Sequence, residues 1–295
     1  MITKLAPQDP RTLYPVPPFD IQPQEAPGRE SEVRPEADHG EATYQGSQKL
    51  IDRVAIITGG DSGIGRAVAL AFAREGADVV ISYLSENDDA AQTQRLVEES
   101  GRGALAISGD IGDPNHCRNV IEAAISKFGR LDFLINNAAY QMTHSDIQEF
   151  SPDELERTFR TNLFSMFYLT QEAVKHMTPG SVIINTASVQ AYQPSHNLLA
   201  YAASKGAIVN FTKALSAQLI ENGIRVNAVA PGPVWTPLIP STMPNEKVKS
   251  FGADSPMKRP AQPAELAPVY VFLASPEASY VTGMVYGVTG GEPID

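Results

Sequence analysis

Cysteine is almost missing from this 295-residue chain: Cys117 stands alone. A single thiol permits no intrachain disulfide and no cysteine-based metal centre, which suits a reducing compartment. Positive charge is scarce as well. The formal net charge is −11, which argues against nucleic acid or an anionic membrane as main partner, since both reward an excess of lysine and arginine. A phosphate-bearing ligand remains compatible, because backbone amides can hold it. No apolar run approaches the roughly 18 residues of a membrane span, and none near Met1 has signal-peptide form, so a cytoplasmic location is expected. The five histidines (His39, His116, His144, His176 and His196) share no ligand spacing, and no catalytic metal is expected. Ser188 lacks the Gly-x-Ser-x-Gly elbow of a hydrolase nucleophile.

What is present fits one large α/β domain. Apolar residues make up 42% and charged residues 19% of the chain, enough to bury a full core. Residues 1–48 stand apart: Pro7, Pro10, Pro15, Pro17, Pro18, Pro23, Pro27 and Pro35 are eight of the chain's 23 prolines. Such a segment propagates neither a helix nor a central strand. It reads as an extended arm with Tyr14, Val16, Phe19 and Ile21 as anchors. Residues 49–295 alternate short apolar runs with helical periodicity, as βαβ units do. Strands are predicted at 54–58, 78–82, 104–108, 131–136, 181–188, 225–230 and 284–289, and helices at 64–75, 88–99, 115–128, 152–177, 199–221 and 263–273. Near-continuous apolar strands such as Val182-Ile183-Ile184 imply burial on both faces, hence a Rossmann-like, doubly wound parallel sheet of about seven strands.

The first strand runs into Thr58-Gly59-Gly60-Asp61-Ser62-Gly63-Ile64-Gly65 and then a helix. Glycines at 59, 63 and 65 permit a tight turn and close backbone approach to a pyrophosphate, with the helix N-terminus offering free N–H groups. At the end of the second strand, Ser82-Tyr83 should reach the adenosine ribose. No acidic residue ends that strand, and no arginine or lysine stands near it; the dinucleotide is NAD or NADP. Tyr201 and Lys205, spaced i and i+4, share one helix face. An ammonium beside a phenol favours phenolate, which would make Tyr201 a general acid or base near neutral pH. Alone, such a pair is an ordinary surface pair.

These and other motifs resemble the classical short-chain dehydrogenase/reductases over about residues 50–295. The glycine loop is similar to that family's Thr-Gly-x-x-x-Gly-Ile-Gly, and Asp110, followed by Ile111, to the acidic residue that holds the adenine amino group. Asn136-Asn137-Ala138-Ala139 is similar to Asn-Asn-Ala-Gly, departing at Ala139, where the added methyl is harmless if φ is negative. Asn162, Ser188, Tyr201 and Lys205 match the catalytic tetrad, and Pro231-Gly232-Pro233-Val234-Trp235-Thr236 resembles the segment that closes over the nicotinamide. The arm, Gly60-Asp61-Ser62-Gly63, Gln190-Ala191-Tyr192-Gln193-Pro194 and Glu265-Leu266-Ala267-Pro268 resemble a tail-bearing subgroup: YghA-like and general-stress-type oxidoreductases and glucose/ribitol dehydrogenase homologues.

The resemblance implies hydride transfer between NAD(P) and a carbonyl or alcohol. Tyr201 exchanges the proton, Ser188 bonds the same substrate oxygen, Lys205 lowers the Tyr201 pKa and holds the nicotinamide ribose, and Asn162 supports a water relay. The substrate wall is expected from residues 190–196 and 238–257. Polar residues there and nearby (Gln141, His144, Gln190, Gln193, Asn197) favour a small aldehyde, ketone or sugar-like polyol. A cofactor-binding, stress-related scaffold with little turnover is the rival reading, disfavoured by the uninterrupted tetrad; a sugar epimerase is disfavoured by the glycine spacing. The family pattern also implies a homotetramer, with the arm lying on a neighbouring subunit through Phe19 and Ile21.

Overall fold

The computed structural model describes residues 8–295; Pro7 of the arm lies outside them. Seven strands form one parallel sheet: β1 (Arg53–Thr58), β2 (Ala77–Tyr83), β3 (Ala104–Ser108), β4 (Phe133–Asn136), β5 (Val182–Thr186), β6 (Arg225–Pro231) and β7 (Val285–Val288). Their order is β3-β2-β1-β4-β5-β6-β7. The chain leaves β1 toward one edge and returns to the other side of it at β4, so a crevice opens above the carboxyl ends of β1 and β4.

Alternation along each strand splits the core. Ala55, Ile57, Val79, Ile81, Ile135 and Ile184 pack against α1 (Gly63–Arg74) on one face of the sheet. Ile56, Val80, Leu134, Ile183 and Val226 pack against α3 (Pro114–Phe128) on the other. Helix α2 (Asn87–Glu99) joins the first layer through Val97. Helix α3 follows Asp113, whose carboxylate accepts from the amide of Asn115, with Pro114 at its first position. Cys117 lies fully buried in the second layer, its thiol donating to the Ile111 carbonyl and its pKa pushed up to about 12 by burial.

The long helix predicted over 152–177 is three pieces: α4 (Pro152–Phe159), a π-type turn at Arg160–Phe164 and α5 (Ser165–Ala173). The π turn inserts one extra residue per turn and so re-aims Asn162 inward, an effect invisible to 3.6-residue periodicity. The remaining helices are α6 (Leu199–Leu219), α7 (Leu238–Thr242), α8 (Asn245–Lys249) and α9 (Pro263–Ala274). Helix α9 packs on the first layer through Leu266, Ala267 and Tyr270.

The arm is extended, as its prolines require, but its docking differs from expectation. It lies on its own domain. Phe19 is 6% exposed and stacks on Trp235 with ring centroids 4.2 Å apart, within a small apolar cluster that includes Val33, Ile239 and Val248. Trp235 Nε1 donates to the Pro35 carbonyl (2.9 Å), and the Phe19 amide donates to the Lys249 carbonyl (2.9 Å). Tyr14 is half-buried and donates to Asp38, while Val16 and Ile21 are exposed. Ile21 therefore anchors nothing on this domain. Sequence inspection had no reason to single out Trp235 as the receiving surface, since its ring is presented only once α7 and α8 fold around it.

Candidate functional site

Thr58 closes β1 and braces the turn that follows. Its hydroxyl accepts from the amides of Asn137 (2.9 Å) and Ala138 (3.1 Å), and the Asn137 side-chain amide donates to the Thr58 carbonyl (3.1 Å). The ends of β1 and β4 are thus tied across the switch point. The glycines are needed on two counts. Gly59 and Gly63 have φ of +60° and +47°, and a Cβ at Gly65 would fall 1.9 Å from the Gly59 carbonyl oxygen. Ala139 is not among the residues with positive φ, so its methyl group is tolerated.

One cavity of about 460 Å³ lies over this turn. Its walls contain Gly59, Asp61, Ser62, Gly63, Ile64, Ser82, Tyr83, Asp110, Ile111, Asn137, Ala138, Ala139, Ser188, Gln190, Tyr201, Lys205, Pro231, Gly232, Val234 and Thr236. The two expected site residues outside the walls are Gly65, which lies behind the loop, and Asn162. Ala26, Pro27, Arg157, Thr161 and Glu292 also line the cavity and were not anticipated. Ala26 and Pro27 come from the arm, and only folding brings them there.

The glycine loop and its surroundings fit a dinucleotide. The loop is open enough for backbone to meet a pyrophosphate, and Gly63 and Ile64 bring the start of α1 to the cavity wall. The Ser82 hydroxyl, 1% exposed, has no hydrogen-bond partner and borders the cavity, as a group waiting for a polar ligand does. Asp61 is 5% exposed, and burial pushes its carboxyl up to about 7. Tyr83 donates to Asn87 (2.8 Å) at the rim. Arg157 and Lys205 are the arginine and lysine of the cavity wall among the described residues. Arg157 stacks on Tyr140 at 4.4 Å, and Lys205 belongs to the deeper cluster described next.

Ser188 follows β5, and its hydroxyl accepts from the Gln190 amide (3.1 Å). Tyr201 and Lys205 rise from α6 one turn apart. Lys205 is 1% exposed; its ammonium donates to the Thr186 carbonyl (2.8 Å) and lies 5.3 Å from the Tyr201 ring centroid. Burial pushes Tyr201 up to about 12, with the Ser188 hydroxyl pulling the other way, and pushes Lys205 down to about 7. In the chain by itself, the cost of burying a charge dominates at both groups. Asn162 is fully buried. Its carbonyl oxygen accepts from the Tyr140 amide (2.7 Å), and its amide donates to the Tyr140 carbonyl (2.9 Å) and to Ser204 (3.0 Å).

The expected polar substrate wall is only partly there. His144 pairs with Glu154 (2.6 Å), Gln193 donates to the Pro293 carbonyl (2.8 Å), and neither they nor Asn197 line the cavity. Gln141 does, but donates to Thr242 (3.1 Å), and Gln190 accepts from the Ser195 amide (2.7 Å). Around the catalytic end the walls are largely apolar: Val189, Leu198, Leu238, Ile239, Met243 and Phe251.

Known proteins share this arrangement. A family model described as "Enoyl-(Acyl carrier protein) reductase" matches residues 59–292. The chain is 49% identical over 287 residues to "Uncharacterized oxidoreductase YghA" of Escherichia coli, covering 97% of this chain and 98% of that protein. It is 50% identical over 276 residues to "NADPH-dependent aldehyde reductase 1, chloroplastic" of Arabidopsis thaliana, covering 91% and 96%. Among solved structures, a short-chain dehydrogenase from Burkholderia cenocepacia in complex with NADP superposes with a TM-score of 0.78 at 30% identity, covering 83% of this chain and 99% of that one. With its seven-stranded parallel sheet, glycine loop and matched relatives, the chain belongs to the short-chain dehydrogenase/reductase family and is an NAD(P)-dependent oxidoreductase.

Proposed function

We propose that this enzyme reduces small aldehydes or ketones, or oxidises the corresponding alcohols and sugar-like polyols, with Tyr201 exchanging the proton at the substrate oxygen. The observation carrying this reading is the convergence of Ser188, Tyr201 and Lys205 on the wall of the cavity that also contains the glycine loop. The nicotinamide ring, when bound, supplies or accepts the hydride. The Tyr201 hydroxyl, with its high pKa, is protonated at neutral pH and so is set to donate. Ser188 donates to the same oxygen and offsets the charge that develops on it. Lys205 holds ribose hydroxyls and, when protonated, favours the Tyr201 phenolate left after donation. Asn162 acts by holding the backbone at Tyr140 and the α6 residue Ser204. The dinucleotide contacts are those of the cavity wall given above, with Gly65 shaping the loop from behind.

The apolar wall and the aldehyde reductase among the relatives support aldehydes over polyols. A homotetramer and a cytoplasmic setting belong to the same proposal. Exposed Phe164 and Phe167, beside Asn162 and on α5, and Leu199 on α6 offer apolar surface for assembly. Because Phe19 is used within its own chain, Leu13, Val16 and Ile21 are the large apolar side chains that the described residues of the arm leave exposed for a neighbour. Light scattering checks the assembly. A panel of aldehydes, ketones and sugars assayed with both dinucleotides tests the reaction, with Tyr201→Phe as control. Losing the proton donor should lower kcat about 10²–10⁴-fold; undiminished turnover in Tyr201→Phe would refute the mechanism.

A further inference from the structure

The arm does more than pack on α7 and α8. Between its contacts with α7 and its return along α1 it passes directly behind the glycine loop. The Gln24 amide donates to the Pro240 carbonyl (3.2 Å) and Ser241 donates to the Pro27 carbonyl (3.2 Å), which ties this stretch to α7. Three residues on, Glu30 is 6% exposed, and its carboxylate accepts from the amide of Gly63, the first residue of α1, at 2.7 Å. Glu30 is not part of the cavity wall, whereas Gly63 is. The carboxylate therefore grips the loop from the side opposite the cavity.

This contact belongs to a closed circuit. The Glu30 amide donates to the Asp89 carboxylate on α2 (2.8 Å). Asp89 pairs with Arg66 on α1 (3.5 Å), and Arg66 Nε donates to the carbonyl of Asp61 in the loop (2.9 Å). The loop is held at both ends, at Asp61 by its own helix and at Gly63 by the arm. His39 stands 3.1 Å from the Glu30 carboxylate and also meets Glu41 at 3.1 Å, so the charge placed beside the loop is offset by a buried imidazole.

We propose that Glu30 is a positioning residue for cofactor binding. A loop containing Gly59, Gly60, Gly63 and Gly65 has more backbone freedom to lose than any other composition. An acceptor fixed on a separate segment removes that freedom before the dinucleotide arrives. A carboxylate suits the place because the start of a helix favours negative charge. Without it the Gly63 N–H would be buried and unsatisfied, and the start of α1 would lose the support that the arm gives it.

The inference rests on the cavity being the dinucleotide site, and two measurements on the full-length protein separate its fate from that of the catalytic assignment. Fluorescence titration with NADH and NADPH should give a Kd about tenfold higher in Glu30→Ala, equivalent to about 1.4 kcal/mol, with kcat at saturating cofactor nearly unchanged. Glu30→Gln, whose amide oxygen still accepts from Gly63, should restore most of the affinity. Hydrogen exchange of the peptide spanning residues 59–66 should accelerate in Glu30→Ala and stay slow in Glu30→Gln, a readout that needs no turnover. Should Glu30→Ala fail to fold, Glu30→Asp keeps the charge but falls one methylene short of Gly63 and should show the same loss. Unchanged or tighter dinucleotide binding in a folded Ala or Asp variant, or equal losses in Gln and Ala, would overturn the proposal.

Discussion

Replacing Phe19 by alanine should release the arm from Trp235 and the α7–α8 segment, and the chain carries its own reporter of that event. Trp235 is the sole tryptophan and is fully buried, with Phe19 against one side at 4.2 Å and Phe251 at 6.2 Å. Truncating a buried phenylalanine to alanine costs about 3–5 kcal/mol, and an aromatic pair adds roughly 0.5–1.5 kcal/mol beyond its buried area. Phe19 is 6% exposed, but it sits on a surface segment that can settle partly into the gap. About 3 kcal/mol is therefore the expected loss in arm docking, enough to raise the undocked population roughly a hundredfold. The flanking bonds, Phe19 N–H to Lys249 and Trp235 Nε1–H to Pro35, should weaken together with the stack, because they hold the same two segments. Tryptophan emission should shift to the red and become accessible to acrylamide. The KM for the carbonyl substrate should rise, since α7, Met243 and Phe251 line the cavity. Emission and quenching identical to wild type would refute the view that the Phe19–Trp235 contact fastens the arm.

Three further outcomes follow from the site. Gly65→Ala places a methyl group on the Gly59 carbonyl, at 1.9 Å without movement; a cost of about 1–3 kcal/mol and loss of dinucleotide binding should appear in thermal melts and titrations. Lys205, pushed down to about 7 by burial, is charged below that pH and neutral above it. Dinucleotide affinity in the free enzyme should therefore fall as pH rises through about 7, and a flat profile would show that its charge plays no part in binding. His39 is raised from 6.5 to about 9 by Glu30 and Glu41 against the cost of burial. A raised pKa stabilises fully below 6.5 and the contribution disappears as pH climbs through about 9; its size is on the order of 3 kcal/mol. Glu30 and Glu41 are held low, Glu41 at about 2, so their share is present above the ordinary carboxylate range and lost in acid. Arm docking followed by Trp235 fluorescence should weaken between about pH 6.5 and 9, and His39→Asn should flatten that limb.

Most of the strands of the sheet were legible in the sequence because buried parallel strands need unbroken apolar runs and the glycine loop needs its glycines wherever it occurs. The strands begin or end within a few residues of their predicted limits, and β3 agrees at both ends. The grouping of Ser188, Tyr201 and Lys205 was legible only through the resemblance to the short-chain dehydrogenase/reductases, since the Tyr–Lys spacing by itself fits a surface pair. The π turn at Arg160–Phe164 was not, since an extra residue in one turn leaves the periodicity of neighbouring turns intact. The polar wall failed because Gln193 and His144 have partners nearer than the cavity, and residue type alone does not say where a side chain points.

What the sequence determined by itself, then, is whatever depends on local backbone demands: glycines at a turn, apolar strands, a proline arm that stays extended, a tyrosine and a lysine one helical turn apart. Tertiary structure alone decided whatever depends on a partner distant in the chain. The placement of Phe19 on Trp235, of Glu30 on Gly63 and of Lys205 on Thr186, and the burial that drives Tyr201 and Lys205 to opposite pKa shifts, arise from long-range contacts and exclusion of water. Neither leaves a periodic trace in the order of residues.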